Sequence, residues 1–234
     1  MYRIRQGGNA LPVLECSRCN ELYYSAHGST ELSCDACECH VWRVFEDEVS
    51  FARVSGLPRT FQPGDHAALL YTDDAEAADF CADYLREGLS RGERLVIAVA
   101  SELRDNVTSR LPQQDADRAT ILDAARIYYG PDFDPTATAH GYAGLVKAQD
   151  GPVRLVCGPD PDAVAGMDID DWQRYERIAH ELALDLGATA LCVYDGRRLP
   201  IGFSPVAVAT HPLISRGGGE LLRNPDFGYE AAPA

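Results

Sequence analysis

The chain has 234 residues, of which 46% are hydrophobic, and this suits one sizeable globular domain with a small module beside it. Its formal net charge of −15 argues against broad electrostatic attraction to DNA, RNA or an anionic membrane surface. Residues 1–60 carry six arginines against eight acidic residues, so only local clustering of those arginines could produce a nucleic-acid surface there.

Two C-x2-C pairs lie near the N-terminus. Each pair places two thiolates on one side of a tight loop, and two facing loops supply the tetrahedron of sulfurs that Zn²⁺ favours. A segment this short builds a poor hydrophobic core, so a metal ion would stabilise it. We therefore predict a zinc ribbon over residues 1–50 that holds one structural Zn²⁺. The predicted ligands are Cys16, Cys19, Cys34 and Cys37.

Paired cysteines also occur in disulfides, redox motifs and iron–sulfur clusters. Disulfides need an oxidising compartment, whereas the sequence shows neither a signal peptide nor an apolar run of membrane length, which predicts a cytoplasmic protein. A redox C-x-x-C motif usually occurs singly, and an iron–sulfur cluster also uses four cysteines. Cys39 could take the place of Cys37 as a ligand.

Strands and helices alternate after a linker over residues 51–60. Asp73 is the predicted N-cap of the first helix, which Gly92 ends. This alternation predicts an α/β domain over 61–215, with a mostly parallel sheet covered by helices on both faces, and a tail over 216–234. Predicted strands cover 66–71, 95–99, 119–122, 153–157 and 189–194. Further predicted helices cover 102–110, 136–149 and 168–186.

Two motifs at the ends of this domain resemble the MEDS sensory family of methanogen and methylotroph proteins and the dichloromethane dehalogenase regulator. The first runs from Gly64 through His66 to Tyr71, with Glu87-Gly88-Leu89-Ser90-Arg91-Gly92-Glu93-Arg94 after it. The second is Leu191-Cys192-Val193-Tyr194-Asp195-Gly196-Arg197-Arg198-Leu199, with His211-Pro212-Leu213 following and Tyr175-Glu176 before it. The resemblance implies a sensory domain with a fold related to RecA/KaiC-type ATPases. Family members often carry a cysteine soon after the motif histidine, but here Ala67 and Ala68 follow His66.

Signatures of nucleotide hydrolysis are missing from the sequence. There is no G-x4-G-K-[ST] motif, and the sole lysine, Lys147, lies late in a predicted helix. Without a glycine-rich loop and its lysine, nothing obvious cradles a triphosphate. We therefore expect a RecA/KaiC-like fold without a P-loop and a protein that is not an enzyme.

Ligands of parallel sheets bind past the carboxyl ends of the strands. Tyr71, Asp195 and Arg197 lie at such ends, and His66 at a strand start, so these four are the predicted ligand-binding residues. Structural alternatives stay open: His66 could be satisfied by Asp65, and Asp195 with Arg197 could form a surface ion pair. Three cysteines at apolar positions are expected to be buried, inert thiols. They are Cys81, Cys157 and Cys192.

Together these patterns predict a sensory or adaptor protein in signal transduction or transcription control. Its main domain would bind a small molecule or a regulatory protein, and the ribbon would contact a partner. Two alternatives remain: a nucleotide-binding pseudo-ATPase or enzyme, and a nucleic-acid-binding regulator that acts through the ribbon. The sequence does not identify the ligand or the partner. It also leaves the oligomeric state open, and a homo-oligomer is one possibility.

Overall fold

The computed structural model describes residues 61–164, 166–224 and 227, together with three short strands nearer the N-terminus. The chain divides into two compact units, Met1–Leu57 and Pro58–Ala234. The described strands of the first unit form an antiparallel sheet in the order β2-β1-β3. They are β1 (Val13–Cys16), β2 (Leu22–Tyr24) and β3 (Trp42–Phe45).

The predicted zinc site lies outside what the structure describes. Cys16 ends β1, but only its backbone is described, and the other three predicted ligands lie in undescribed segments. The ribbon zinc therefore stays a prediction.

Strands and helices alternate through the second unit. Its described strands are β4 (His66–Tyr71), β5 (Arg94–Ala98), β6 (Thr120–Ile121), β7 (Val153–Cys157), β8 (Thr189–Asp195), β9 (Leu213–Arg216) and β10 (Leu222–Arg223). Its described helices are α1 (Asp74–Ser90), α2 (Ser101–Thr108), α3 (Gln113–Ala116), α4 (Ala124–Ile127), α5 (Pro135–Lys147), α6 (Ile169–Leu186) and α7 (Phe203–Thr210), with one 3₁₀ turn at Gly130–Asp132.

These strands form one sheet in the order β10-β9-β4-β8-β7-β5-β6, in which only β10 runs antiparallel to its neighbour. The predicted fold class, a mostly parallel sheet with helices on both faces, is confirmed. Ordered structure continues past the last predicted strand, because α7, β9 and β10 follow β8. β10 lies in the segment that the sequence analysis assigns to the tail.

Alternating residues of the central strands separate the core into two layers. Ala67 and Leu69 face the layer that contains α1 and α2. Ala68 faces the other layer, together with Cys192 and Tyr194 of β8 and Trp172 of α6. The two layers explain why β4 reads as a continuous apolar run: both of its faces are covered.

The helices begin where the sequence supplies caps. The Asp73 carboxylate accepts hydrogen bonds from the amides of Ala75 and Glu76, at 2.8 and 3.1 Å, and so confirms the predicted N-cap of α1. Asp168 caps α6 by accepting from the Asp170 amide. Gly187 ends α6 with a φ of 63°, which favours glycine.

A buried arginine, paired with Glu93, joins α1 to the sheet. The Arg154 side chain on β7 is 0% exposed and donates to Glu93 at 2.5 Å and to the Tyr84 carbonyl at 2.9 Å. Gly88 lies against this guanidinium group, where a Cβ atom would come within 2.7 Å of its Nε. The pair is structural, because its groups satisfy one another inside the domain.

Candidate functional site

A cluster of polar side chains lies inside the layer that contains α6, near the amino end of β4 and the middle of β8. His66, Glu176, Cys192 and His211 are all buried, with exposed fractions of 3% or less. One nitrogen, oxygen or sulfur atom of each lies within 4.8 Å of the corresponding atoms of the other three. Buried groups of this kind are rare unless they are paired or hold an ion.

The strand register brings the first two residues together. His66 pairs with Ala190, and Ala68 pairs with Cys192, so His66 and Cys192 lie two positions apart on neighbouring strands. Residues two positions apart share a face of the sheet, and this face meets α6. The His66 Nε2 atom therefore lies 3.2 Å from the Cys192 sulfur.

Helix α6 and the residue after α7 complete the cluster. Glu176 lies one helical turn after Trp172 and one turn before His180, so the three share the inward face of α6. The Glu176 Oε2 atom lies 3.6 Å from His66 Nε2 and 3.4 Å from Nε2 of His211, the C-cap residue of α7. The other carboxyl oxygen, Oε1, accepts a hydrogen bond from the Tyr194 hydroxyl.

Hydrogen bonds fix the tautomer of His211. Its Nδ1 atom lies 2.9 Å from the Ala207 carbonyl oxygen, which can only accept, so Nδ1 carries the proton and donates. Nε2 of the neutral ring then has a free lone pair. This nitrogen has no hydrogen-bond partner among the described residues, although it faces Glu176 at 3.4 Å.

Burial keeps the cluster uncharged in the absence of a cation. It raises the pKa of Glu176 to about 8 despite the Tyr194 hydrogen bond, which lowers it. Burial lowers the pKa of His211 to about 3 and that of the neighbouring His180 to about 4. It also lowers the pKa of His66, with His211 and His180 adding to the effect. At neutral pH the three imidazoles are neutral and Glu176 is protonated.

A small cavity of about 50 Å³ adjoins the cluster, between α5, α6 and the sheet. His66 and Cys192 line it, and most of the remaining lining is apolar. The apolar lining comes mainly from Ala139, Ala143, Val146, Leu155, Ala179, Leu182, Ala183 and Leu186. The cavity is therefore mostly apolar, with a few polar side chains in its lining.

Tyrosine hydroxyls bond to one another beside this cavity. The Tyr128 hydroxyl lies 2.9 Å from that of Tyr142 and 3.0 Å from that of Tyr175, and the latter two residues line the cavity. Burial raises the pKa of all three, so they are uncharged hydrogen-bonding groups. Their mutual bonds satisfy hydroxyls that would otherwise be costly to bury.

The opposite end of β4 has a different character. Tyr71 pairs with Asp195 in register, and Arg197 donates to both Asp195 and Asp74. Burial would raise the pKa of Asp195, but the hydrogen bonds and charge of Arg197 outweigh burial and lower it. Arg198 is paired with Asp162 at 3.0 Å. Arg197 and Arg198 are therefore engaged by carboxylates.

Of the four predicted ligand-binding residues, the structure brings together three and separates the fourth. Tyr71, Asp195 and Arg197 meet at the carboxyl edge. His66 lies five residues back along β4, about 16 Å away at the usual rise of a strand. Its partners are Cys192, Glu176 and His211.

Sequence reasoning missed most of this cluster. Cys192 was predicted to be an inert thiol, and Glu176 and His211 entered only through the family motifs. One signal could have indicated the cluster: Glu176 and His180 follow Trp172 at helical spacing on the inward face of α6. Polar residues on a buried face need partners.

In the part of the chain that the structure describes, no helix combines the length and apolar character needed to cross a membrane.

A family model described as "MEDS: MEthanogen/methylotroph, DcmR Sensory domain" matches residues 65–212. No curated protein matches the sequence significantly. Among solved structures, the chain is similar to a KaiC-like protein of the hyperthermophilic archaeon Pyrococcus horikoshii OT3. That match has 16% identity and a TM-score of 0.46, and it covers 69% of this chain and 78% of the archaeal chain. A likeness at that level says nothing about activity.

Proposed function

Because the chain belongs to the MEDS family of sensory domains and so has a sensory or regulatory role, we propose that it responds to a small, mostly apolar molecule bound in the cavity beside His66. The observation that carries this proposal is a mostly apolar pocket lined in part by a histidine that has an unsatisfied ring nitrogen. The His66 Nδ1 atom is buried and has no hydrogen-bond partner among the described residues.

The size of the cavity limits the ligand. One water-sized sphere needs about 10–15 Å³, so 50 Å³ accommodates about three to five non-hydrogen atoms. The best very small ligands gain at most about 1.5 kcal/mol per such atom, which for four atoms gives a Kd no tighter than tens of micromolar. We therefore expect affinities in the micromolar to millimolar range.

The groups at the carboxyl edge of the sheet argue against a nucleotide as the ligand. The amides of Ala75 and Glu76 at the start of α1, which could meet a phosphate there, already donate to Asp73. Asp74 adds a further carboxylate to the first turn of α1. Because Arg197 and Arg198 are held by carboxylates, these two side chains offer little to a triphosphate.

The test uses thermal unfolding of the full chain with a series of alcohols from methanol to 1-butanol as probes. At a concentration ten times its Kd, a probe stabilises the folded state by about 1.4 kcal/mol. For a domain of this size, this free energy corresponds to a rise in Tm of about 3–6 °C. We expect the rise to be largest for the three- and four-carbon alcohols, which best match the cavity volume.

Two alanines of α5 provide matched variants. Ala143 is buried in the cavity lining, whereas Ala137 is exposed on the same helix. Ala143→Leu should fill the cavity and remove the alcohol response, while Ala137→Leu should keep it. The proposal would be wrong if no probe stabilised the wild type, or if both variants responded alike.

The ribbon provides a route for output under this proposal. We propose that its cysteines hold Zn²⁺ and that its surface contacts a regulatory protein. Residues 1–60 carry six arginines and eight acidic residues. This slightly negative charge favours a protein partner over nucleic acid. Salt-dependent DNA binding by the full chain would contradict this assignment.

A further inference from the structure

We infer that His66, Glu176, Cys192 and His211 form a second metal site, inside the α/β domain, that binds one divalent transition-metal ion of the zinc type. This site is distinct from the predicted ribbon zinc, since its residues come from β4, α6, β8 and the turn before β9. It also goes beyond the sensory role, because an ion could bind here whether or not a small molecule enters the cavity.

Three of the six separations among the donor atoms suit a tetrahedral ion, and all six are within 4.8 Å. With bonds of about 2.0–2.3 Å, neighbouring ligand atoms of tetrahedral zinc lie about 3.3–3.6 Å apart. The observed separations are 3.2 Å from His66 Nε2 to the Cys192 sulfur, and 3.6 and 3.4 Å from Glu176 Oε2 to His66 Nε2 and His211 Nε2. The Cys192 sulfur lies 4.0 Å from Glu176 Oε2.

The set of donors matches the chemistry of zinc and balances its charge. Two imidazoles, a thiolate and a carboxylate are all zinc ligands, and a closed four-residue set is typical of a structural site. When Glu176 and Cys192 release their protons, their two negative charges neutralise the cation. A neutral assembly is the form that a buried site tolerates best.

Surrounding groups already orient two of the ligands. The Ala207 carbonyl holds the proton of His211 on Nδ1 and leaves Nε2 to coordinate, as backbone carbonyls do behind many metal-bound histidines. The Tyr194 hydroxyl donates to Glu176 Oε1 and leaves Oε2 toward the two histidines. Without an ion, His211 Nε2 is buried and has no hydrogen-bond partner among the described residues.

The first experiment measures zinc per chain in full-length protein purified from zinc-supplemented cells. His211→Gln and Cys192→Ala should each hold one equivalent of zinc less than the wild type. The zinc bound by the predicted ribbon should be the same in the wild type and in both variants. Two neighbours serve as controls. His180→Gln changes a ring stacked 5.6 Å from His66, and Cys157→Ala removes a thiol 3.6 Å from the Cys192 sulfur. Both controls should keep the full zinc content.

Equal zinc contents in the wild type and in folded His211→Gln would overturn the site. Loss of an equivalent in the Cys157→Ala control would overturn the set of ligands. Circular dichroism establishes that each variant keeps its helices.

A spectroscopic measurement covers the case in which a ligand variant fails to fold. In full-length protein with Cys16→Ser and Cys19→Ser, added Co²⁺ should give tetrahedral d–d bands and a charge-transfer band from one thiolate. Tyr194→Phe in this background should weaken cobalt binding by about 10–100-fold while keeping the bands, because it removes only the group that orients Glu176. Absence of these bands from the folded double-serine protein would refute the proposal.

An unchanged alcohol response in a metal-free variant would separate the two proposals. In that case the cavity binds its ligand without the ion. A failure of the zinc proposal would then leave the small-molecule proposal intact, and the reverse also holds.

Discussion

Replacing Glu176 by glutamine should change how stability depends on pH in protein freed of metal by a chelator. The pKa of Glu176 is about 8 in the folded domain, against 4.5 for an unperturbed glutamate. Between these values the folded state holds a proton that the unfolded state has released. The resulting stabilisation is therefore complete below pH 4.5 and is lost as pH rises toward 8, at about 1.4 kcal/mol per pH unit.

The neighbouring histidines act in the opposite direction, but in a lower range. His66, His180 and His211 have pKa values lowered from 6.5, so unfolding takes up protons below that pH and stability rises toward it. Well above pH 6.5 they are neutral in both states, and closer to pH 6.5 they affect the wild type and Glu176→Gln alike. Tyr194 and Cys192, which also face Glu176, have raised pKa values and stay protonated.

Comparison of the wild type with Glu176→Gln between pH 6.5 and 8 therefore isolates Glu176. Over these 1.5 pH units, the wild type should lose about 1.6 kcal/mol of unfolding free energy relative to Glu176→Gln, which stays neutral and still accepts from the Tyr194 hydroxyl. Urea unfolding of both proteins at four pH values measures the difference, in which all other titrating groups cancel. Parallel curves for the two proteins would show that Glu176 is not a buried neutral acid.

Further substitutions test the packing and the two-unit division. Gly158→Ala should destabilise the domain by about 3 kcal/mol in urea unfolding, because its Cβ would lie 2.3 Å from the Val193 carbonyl oxygen. Gly144→Ala, in open space on α5, should instead stabilise it by about 0.5–1 kcal/mol, and equal effects at the two glycines would contradict this account. Arg154→Met should cost about 3–5 kcal/mol, since it leaves Glu93 buried and unpaired; recovery is expected when Glu93→Gln is added. Cys16→Ser should unfold the ribbon and leave the α/β domain intact, so amide exchange that spreads through the whole chain would argue against two independent units.

The sequence predicts the repeating part of the fold well, because local signals specify it. A buried apolar run marks β4, and Asp73 marks the start of α1. The segments after β8 escaped prediction for a physical reason: α7 is short and mostly apolar, so it lacks a clear two-faced pattern. β9 has only four residues, and its character as a strand depends on pairing with β4.

The buried cluster escaped prediction because its members are distant in the chain. His66 and Cys192 meet only through the register of two parallel strands, and Glu176 reaches them from a helix on one face of that sheet. Tyr71 and Asp195 can be predicted as neighbours because both lie at the carboxyl ends of parallel strands. These ends meet at one edge of the sheet whatever the side chains are. No comparable rule predicts which side chains meet inside a layer.

The place of β4 in the sheet has a consequence for biosynthesis. This first strand of the α/β domain lies between β8 and β9, and Ala67 pairs with Leu213. A nascent chain therefore exposes both edges of an apolar strand until β8 and β9, late in the α/β domain, have left the ribosome. Such delayed pairing slows folding and favours aggregation, so co-translational protection of this strand would matter more here than in a domain built from neighbouring hairpins.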